Sequence, residues 1–264
     1  MWTSIALASV LAWTPGQADK LALTHVRSTY GVLGATRPDN KLLPGDTFVL
    51  SYDIEGVKPD ATGKVLYSMA LEITDSEGKA IFKQAPKDLE AFNALGGNSL
   101  PGFASARVGL DQPAGKYTVK VTVTDRTTKA STSVSGTYEV LQKGFGIVNL
   151  RTNADEKGTV AAPFVGEGQS LWVNFAAVGF GRDTDQPNLS VVMRVLDENG
   201  KPTVEKPFTG EVNKDVPKNA QAVPMQFMLD LNRAGKFTVE LKATDKTSGK
   251  TATLSFPLTV LKMK

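Results

Sequence analysis

The chain of 264 residues contains no cysteine and a single histidine, His25. Without cysteine there is no disulfide, no thiol nucleophile, no Cys-ligated zinc, no iron–sulfur cluster and no lipid-anchored N-terminal cysteine. One histidine excludes every multi-histidine metal site and leaves one residue for any histidine-based catalysis. Long apolar runs are also missing. None approaches the roughly 18 residues of a membrane-spanning helix, so no transmembrane segment is expected. Neither sign of charge dominates, with 30 Lys and Arg against 27 Asp and Glu. The basic residues are scattered and often sit beside an acid, as in Asp197-Glu198-Asn199-Gly200-Lys201. A nucleic-acid binder would cluster them on one face, so no nucleic-acid partner is expected. The mild basic excess fits a loose preference for anionic surfaces. No G-x-S-x-G elbow, Walker loop, H-E-x-x-H or dinucleotide-binding glycine fingerprint occurs.

Residues Ile5 to Trp13 form an uncharged, mostly apolar stretch broken by Thr14-Pro15-Gly16, and Gly16-Gln17-Ala18 sets small residues before Asp19. That is the layout of a secretory signal peptide over residues 1–18, although Met1-Trp2-Thr3-Ser4 lacks the usual positive charge. A buried N-terminal strand is the alternative. Cleavage would place the mature chain outside the cytoplasm, in the periplasm, at the cell surface or secreted.

The remainder repeats itself. Ala114-Gly115-Lys116-Tyr117-Thr118-Val119 recurs 120 residues later as Ala234-Gly235-Lys236-Phe237-Thr238-Val239. Asp75-Ser76-Glu77-Gly78-Lys79 answers to Asp197 through Lys201, and Gly45-Asp46-Thr47-Phe48 to Gly168-Gln169-Ser170-Leu171. Conserved order with a slowly drifting offset is the mark of a duplicated domain, here residues 19–142 and 143–264.

Inside each unit the apolar period is two, the sign of half-buried strands. Phe48, Leu50, Tyr52 and Ile54 alternate with mostly polar residues, and so do Tyr117, Val119, Val121 and Val123. Leu171, Val173 and Phe175 repeat the pattern in the second unit. Glu77-Gly78 and Asn199-Gly200 are hairpin turns, because glycine and asparagine accept the positive φ such turns need. One short helix is expected, around Lys87 to Ala94, stopped by Gly96-Gly97.

The Leu43-Pro44-Gly45-Asp46 entry to an early strand, the Asp75-to-Lys79 hairpin and the Pro113-to-Tyr117 lead into the penultimate strand together resemble bacterial immunoglobulin-like domains of the macroglobulin or adhesin type. The resemblance implies an all-β fold of two tandem immunoglobulin-like antiparallel β-sandwiches. It also implies an extracytoplasmic, non-catalytic role with no cofactor. The antibody disulfide and the thioester cysteine of some macroglobulin-type proteins have no counterpart here.

Candidate sites are few, and no catalytic residue is assigned. His25 lacks an evident nucleophile and orienting group and reads as structural. Asp125 and Asp245 stand at equivalent turns, where capping the turn explains them better than catalysis. Asp183-Thr184-Asp185 and Asn153-Ala154-Asp155-Glu156 are the nearest to a calcium site, but neither belongs to a 12-residue calcium loop, so no metal is expected. Gly144-Phe145-Gly146 reads as a flexible joint and Gly179-Phe180-Gly181 as a turn. The strand register points Trp172 outward, where the first unit has Val49. An outward tryptophan either stacks on a sugar or anchors an interface, or it packs against a neighbouring loop or the other domain. Trp172 and Phe180 are therefore the candidate binding residues; Phe180 and Phe103, each near glycine, are either exposed or close the ends of the sandwiches. The loops Ala85 to Pro101 and Phe208 to Ala222 are the least repetitive and are candidate binding loops. The expected role is binding, adhesion or structure with a protein or glycan partner, and carbohydrate binding through exposed aromatics is the alternative.

Overall fold

The period-two segments become strands because alternate residues can be buried while the backbone pairs laterally. The structure, a computed structural model, describes residues 20–183 and 185–263. The expected signal peptide lies outside the described residues. The first half contains β1 (Ala22–Ser28), β2 (Lys41–Leu42), β3 (Thr47–Glu55), β4 (Lys64–Thr74), β5 (Ala80–Phe92), β6 (Ser99–Arg107), β7 (Gly115–Asp125) and β8 (Ser131–Val140). The second contains β9 (Gly146–Asn153), β10 (Val165–Gly166), β11 (Ser170–Val178), β12 (Leu189–Leu196), β13 (Phe208–Val212), β14 (Ala222–Asp230), β15 (Gly235–Asp245) and β16 (Thr251–Leu261).

Each half is a two-layer all-β sandwich. The first pairs a three-stranded sheet, β1-β3-β6, with a five-stranded sheet, β2-β8-β7-β4-β5. The second has β9-β11-β14 and β10-β16-β15-β12-β13, the same strand order eight strands later. Pairing is antiparallel except for the short parallel contacts β2–β8 and β10–β16.

The alternating apolar residues meet between the layers. Phe48, Leu50, Tyr52, Val119 and Val121 lie in one core, and Leu171, Val173, Val191, Val239 and Leu241 in the other. Stacked rings add to both, Phe48–Tyr138 at 5.0 Å and Phe175–Phe227 at 6.1 Å between centroids. Tyr30 and Ala35, from the loop after β1, cross over and pack against the second core.

The turns form as their residues dictate. Asp75 accepts hydrogen bonds from the Glu77 and Lys79 amides, and Asp197 from those of Asn199 and Lys201. Gly78 and Gly200 take the left-handed conformation at φ 80° and 75°.

The expected helix at Lys87 to Ala94 is absent. Lys87 through Phe92 continue β5, with Met69 opposite Lys87 and Lys64 opposite Phe92. Pairing with β4, helped by the Lys64–Glu90 ion pair at 2.7 Å, overrides local helix preference. Pro86 is accommodated because β5 is an edge strand and its register shifts there.

Candidate functional site

The two sandwiches meet through the turn before β3. Asp46 is buried and receives Arg37 Nη2 at 3.0 Å, an ion pair with both side chains largely removed from solvent. Its other oxygen accepts the amides of Thr47 and Asn149, each at 2.8 Å. Asn149 belongs to β9, so Asp46 spans the joint. The Asn149 side chain returns the contact, donating to Gly45 O at 2.7 Å and accepting Thr47 Oγ1 at 2.8 Å. Asn149 sits at φ 55°, a conformation asparagine tolerates better than most residues. The Arg37 guanidinium also lies 4.6 Å over the Tyr30 ring. A small apolar cluster of Val148, Ala176 and Val178 with Leu43 closes the contact.

The glycines at the joint permit close approach. A Cβ on Gly146 would fall 2.0 Å from Leu43 Cδ1, and one on Gly179 would fall 2.1 Å from Gly144 O. The Gly144-Phe145-Gly146 connection, expected to flex, is packed on both sides for that reason.

Two grooves flank the joint. The larger, about 810 Å³, lies between the outer faces of the two three-stranded sheets. Thr47, Ser105 and Arg107 come from the first sheet, and Arg151, Asn174 and Gln226 from the second. Strand alternation explains the lining. On β6, Leu100, Ala104 and Ala106 turn inward, leaving Phe103, Ser105 and Arg107 outward. On β11, Leu171, Val173 and Phe175 turn inward, leaving Trp172 and Asn174 outward.

Trp172 is half-buried beside Asn153 and Met228 on the neighbouring strands, just beyond this groove. Val49, its counterpart, is 2% exposed, and it lines the joint. Phe103 is 42% exposed. Phe180 is elsewhere. It lines the smaller groove, about 470 Å³, with Lys143, Arg182 and Lys218, and the Arg182 guanidinium lies 5.3 Å over its ring. Trp172 and the end of β11 at Val178 are six strand residues apart, roughly 20 Å, and Phe180 follows beyond the turn at Gly179, so the structure does not bring the two candidates together. Of the candidate loops, Ala85 to Phe92 and Phe208 to Val212 are strands, while Lys218 to Gln221 line the smaller groove.

The acids have local roles. Asp245 is fully buried and accepts Gly181 N at 2.8 Å, Thr247 N at 3.1 Å and Ser248 Oγ at 2.6 Å. Burial alone would raise its pKa, but those hydrogen bonds together outweigh it and hold the carboxyl below the ordinary range. Asp125 caps Thr127 and Thr128 through one oxygen, while its other oxygen is buried without a partner among the described residues. Asp155 holds its own loop through Thr159 and Val160, and Asp185 pairs with Lys218. His25 is exposed and meets Asp53 at 3.0 Å. Among the described residues no three His, Asp or Glu side chains are grouped as metal ligands, and no helix is long and apolar enough to cross a membrane.

No family model matches the chain, and no curated protein matches it. Among solved structures it is similar to red sea bream transglutaminase, at 8% identity and a TM-score of 0.29, over 94% of this chain and 32% of that one. It is also similar to Bacteroides uniformis β-glucuronidase, at 9% identity and a TM-score of 0.38, over 81% of this chain and 26% of that one. The chain thus spans about a third and a quarter of those two proteins. Likeness this distant carries no argument about activity.

Arg107, Arg151 and Gln226 were not among the sequence candidates. The available signal was polar residues on the outward register of strands whose inward residues were legible. What makes them a set is the docking of one sandwich on the other, which no local pattern encodes.

Proposed function

We propose that this chain is a non-catalytic, extracytoplasmic binding module that presents a preformed groove between two fixed sandwiches. The observation supporting this reading is the joint. Arg37, Asp46 and Asn149 tie the halves together, and the larger groove exists only where the two outer faces converge. A ligand site lined by both halves gains from such fixing, because less freedom is lost on binding. The extracytoplasmic part rests on the sequence of residues 1–18, where the apolar stretch Ile5 to Trp13 and the small-residue site before Asp19 match a secretory leader.

The absence of native cysteine allows a direct test. A photo-crosslinker on a single cysteine replacing Ser105 should capture a ligand from the envelope fraction of the source organism. The same probe replacing Lys242, on the outer face of the far sheet, should not. Equal capture from both positions, or capture from neither, would overturn the reading. The mass of the protein recovered from that fraction should correspond to a chain starting near Asp19.

A further inference from the structure

The lining of the larger groove is unbalanced in charge. It includes Arg107 and Arg151 and no carboxylate, in a chain whose acids and bases are nearly equal in number. Both arginines are exposed, and among the described residues neither side chain has an ion pair or a hydrogen bond. The nearby acid, Asp46, is already satisfied by Arg37 and Asn149. Both arginines line one cleft, the Arg151 guanidinium lying beside Gly158 at its end, and guanidinium forks suit carboxylate or sulfate groups, which they bind through paired N–H donors.

The other groups narrow the choice. Gln226 and Ser105 are exposed with no hydrogen bond among the described residues. Asn174 donates its side-chain amide to Asn153, and its side-chain carbonyl has no partner among the described residues. Amides and hydroxyls of this kind serve sugar hydroxyls as both donors and acceptors. Beyond the groove on each side stands an outward aromatic, Phe103 two residues from Ser105 and Trp172 two residues from Asn174. Each is about 7 Å further along its strand. A peptide adding as a strand would need an unbroken backbone edge. The edge strands β6 and β14 carry Pro101 and Pro224, which lack a backbone N–H.

We propose that this groove takes an acidic polysaccharide. Its carboxylates or sulfates pair with Arg107 and Arg151, and adjoining sugar rings lie against Phe103 and Trp172. This deepens the binding-module reading and rests on it.

The test uses the full chain against polygalacturonate and heparin, with dextran, poly-glutamate and a single-stranded DNA oligomer as comparators. One or both acidic polysaccharides should bind, more weakly as salt rises. The Arg107→Ala/Arg151→Ala double variant should lose at least about tenfold in affinity. The Arg107→Lys/Arg151→Lys variant should fall between, since it keeps the charge and loses the fork. Trp172→Ala should weaken binding without changing its salt dependence. Thermal melts of each variant establish that the fold is retained. Lys120→Ala/Lys242→Ala, on the outer faces of the five-stranded sheets, should bind as the unaltered chain does.

An equal loss in that control would mean diffuse surface attraction and overturn the proposal. Preference for poly-glutamate or DNA, or equal binding of dextran, would overturn the polysaccharide or the acidic part respectively. Binding of none of these probes would overturn the proposal entirely. The binding-module reading would still stand or fall on capture at Ser105.

Discussion

His25 and Asn149 occupy the same place in the two sandwiches, a bulge in the first strand of the smaller sheet, with φ at 48° and 55°. Asn149 is turned to the joint and is satisfied there by Gly45, Asp46 and Thr47. The His25 side chain faces water, where it meets Thr24 and Asp53, and its carbonyl accepts Arg27 Nη1. Val49 and Trp172 form a second such pair, one covered by the joint and one left half-exposed. Asp125 and Asp245 form a third, because Gly181 and Ser248 reach the second oxygen of Asp245 and none of the described residues reaches that of Asp125. One strand order supports different uses of equivalent positions, and the difference lies in what packs against them.

The largest expected effect is at the joint. Asp46→Ala leaves the Arg37 guanidinium buried without its partner and should cost about 3–5 kcal/mol in urea unfolding. It should also loosen the two sandwiches, seen as faster amide exchange at Asn149 and Leu150.

The paired turn aspartates come next. Asp245→Asn should cost more than Asp125→Asn by about 1–3 kcal/mol, because three donors converge on the Asp245 carboxylate. Equal costs would remove the distinction between the two turns. The pH dependence has a definite sign. A carboxyl held below its ordinary pKa in the folded state contributes its stability above the unfolded value, about 3.9, and loses it as pH falls through the folded value. The stability gap between the unaltered chain and Asp245→Asn should therefore be full at neutral pH and shrink below about pH 4. A gap unchanged in acid would contradict the hydrogen-bonded carboxylate.

The smallest effects concern the bulge. Asn149→Ala should cost about 1–2 kcal/mol, from two lost side-chain hydrogen bonds and a residue less suited to positive φ. His25→Ala, at the equivalent position, should stay within about 0.5 kcal/mol. A comparable loss at His25 would mean that the bulge itself, and not the joint, sets the cost.

Much of the fold was legible because it is written locally. The alternation around Phe48 and Val119, the Gly78 and Gly200 turns and the capping role of Asp125 and Asp245 all depend on residues a few positions apart. The outward register of Trp172 followed from the same alternation. The helix expected at Lys87 failed because pairing with β4 is not local. The groove was illegible for a stronger reason. Arg107 and Arg151 belong to different sandwiches, and only the docking of Asp46 on Asn149 makes them neighbours. The glycines at 144 and 146 illustrate the same limit, since a glycine read for flexibility serves here for close contact with Leu43 and the strand end at Gly179.

Calorimetric unfolding of the full chain tests most directly whether the two sandwiches form one fixed unit. A single transition is expected, with calorimetric and van't Hoff enthalpies about equal, resolving into two in Asp46→Ala. Two independent transitions in the unaltered chain would contradict the locked joint and, with it, the preformed groove.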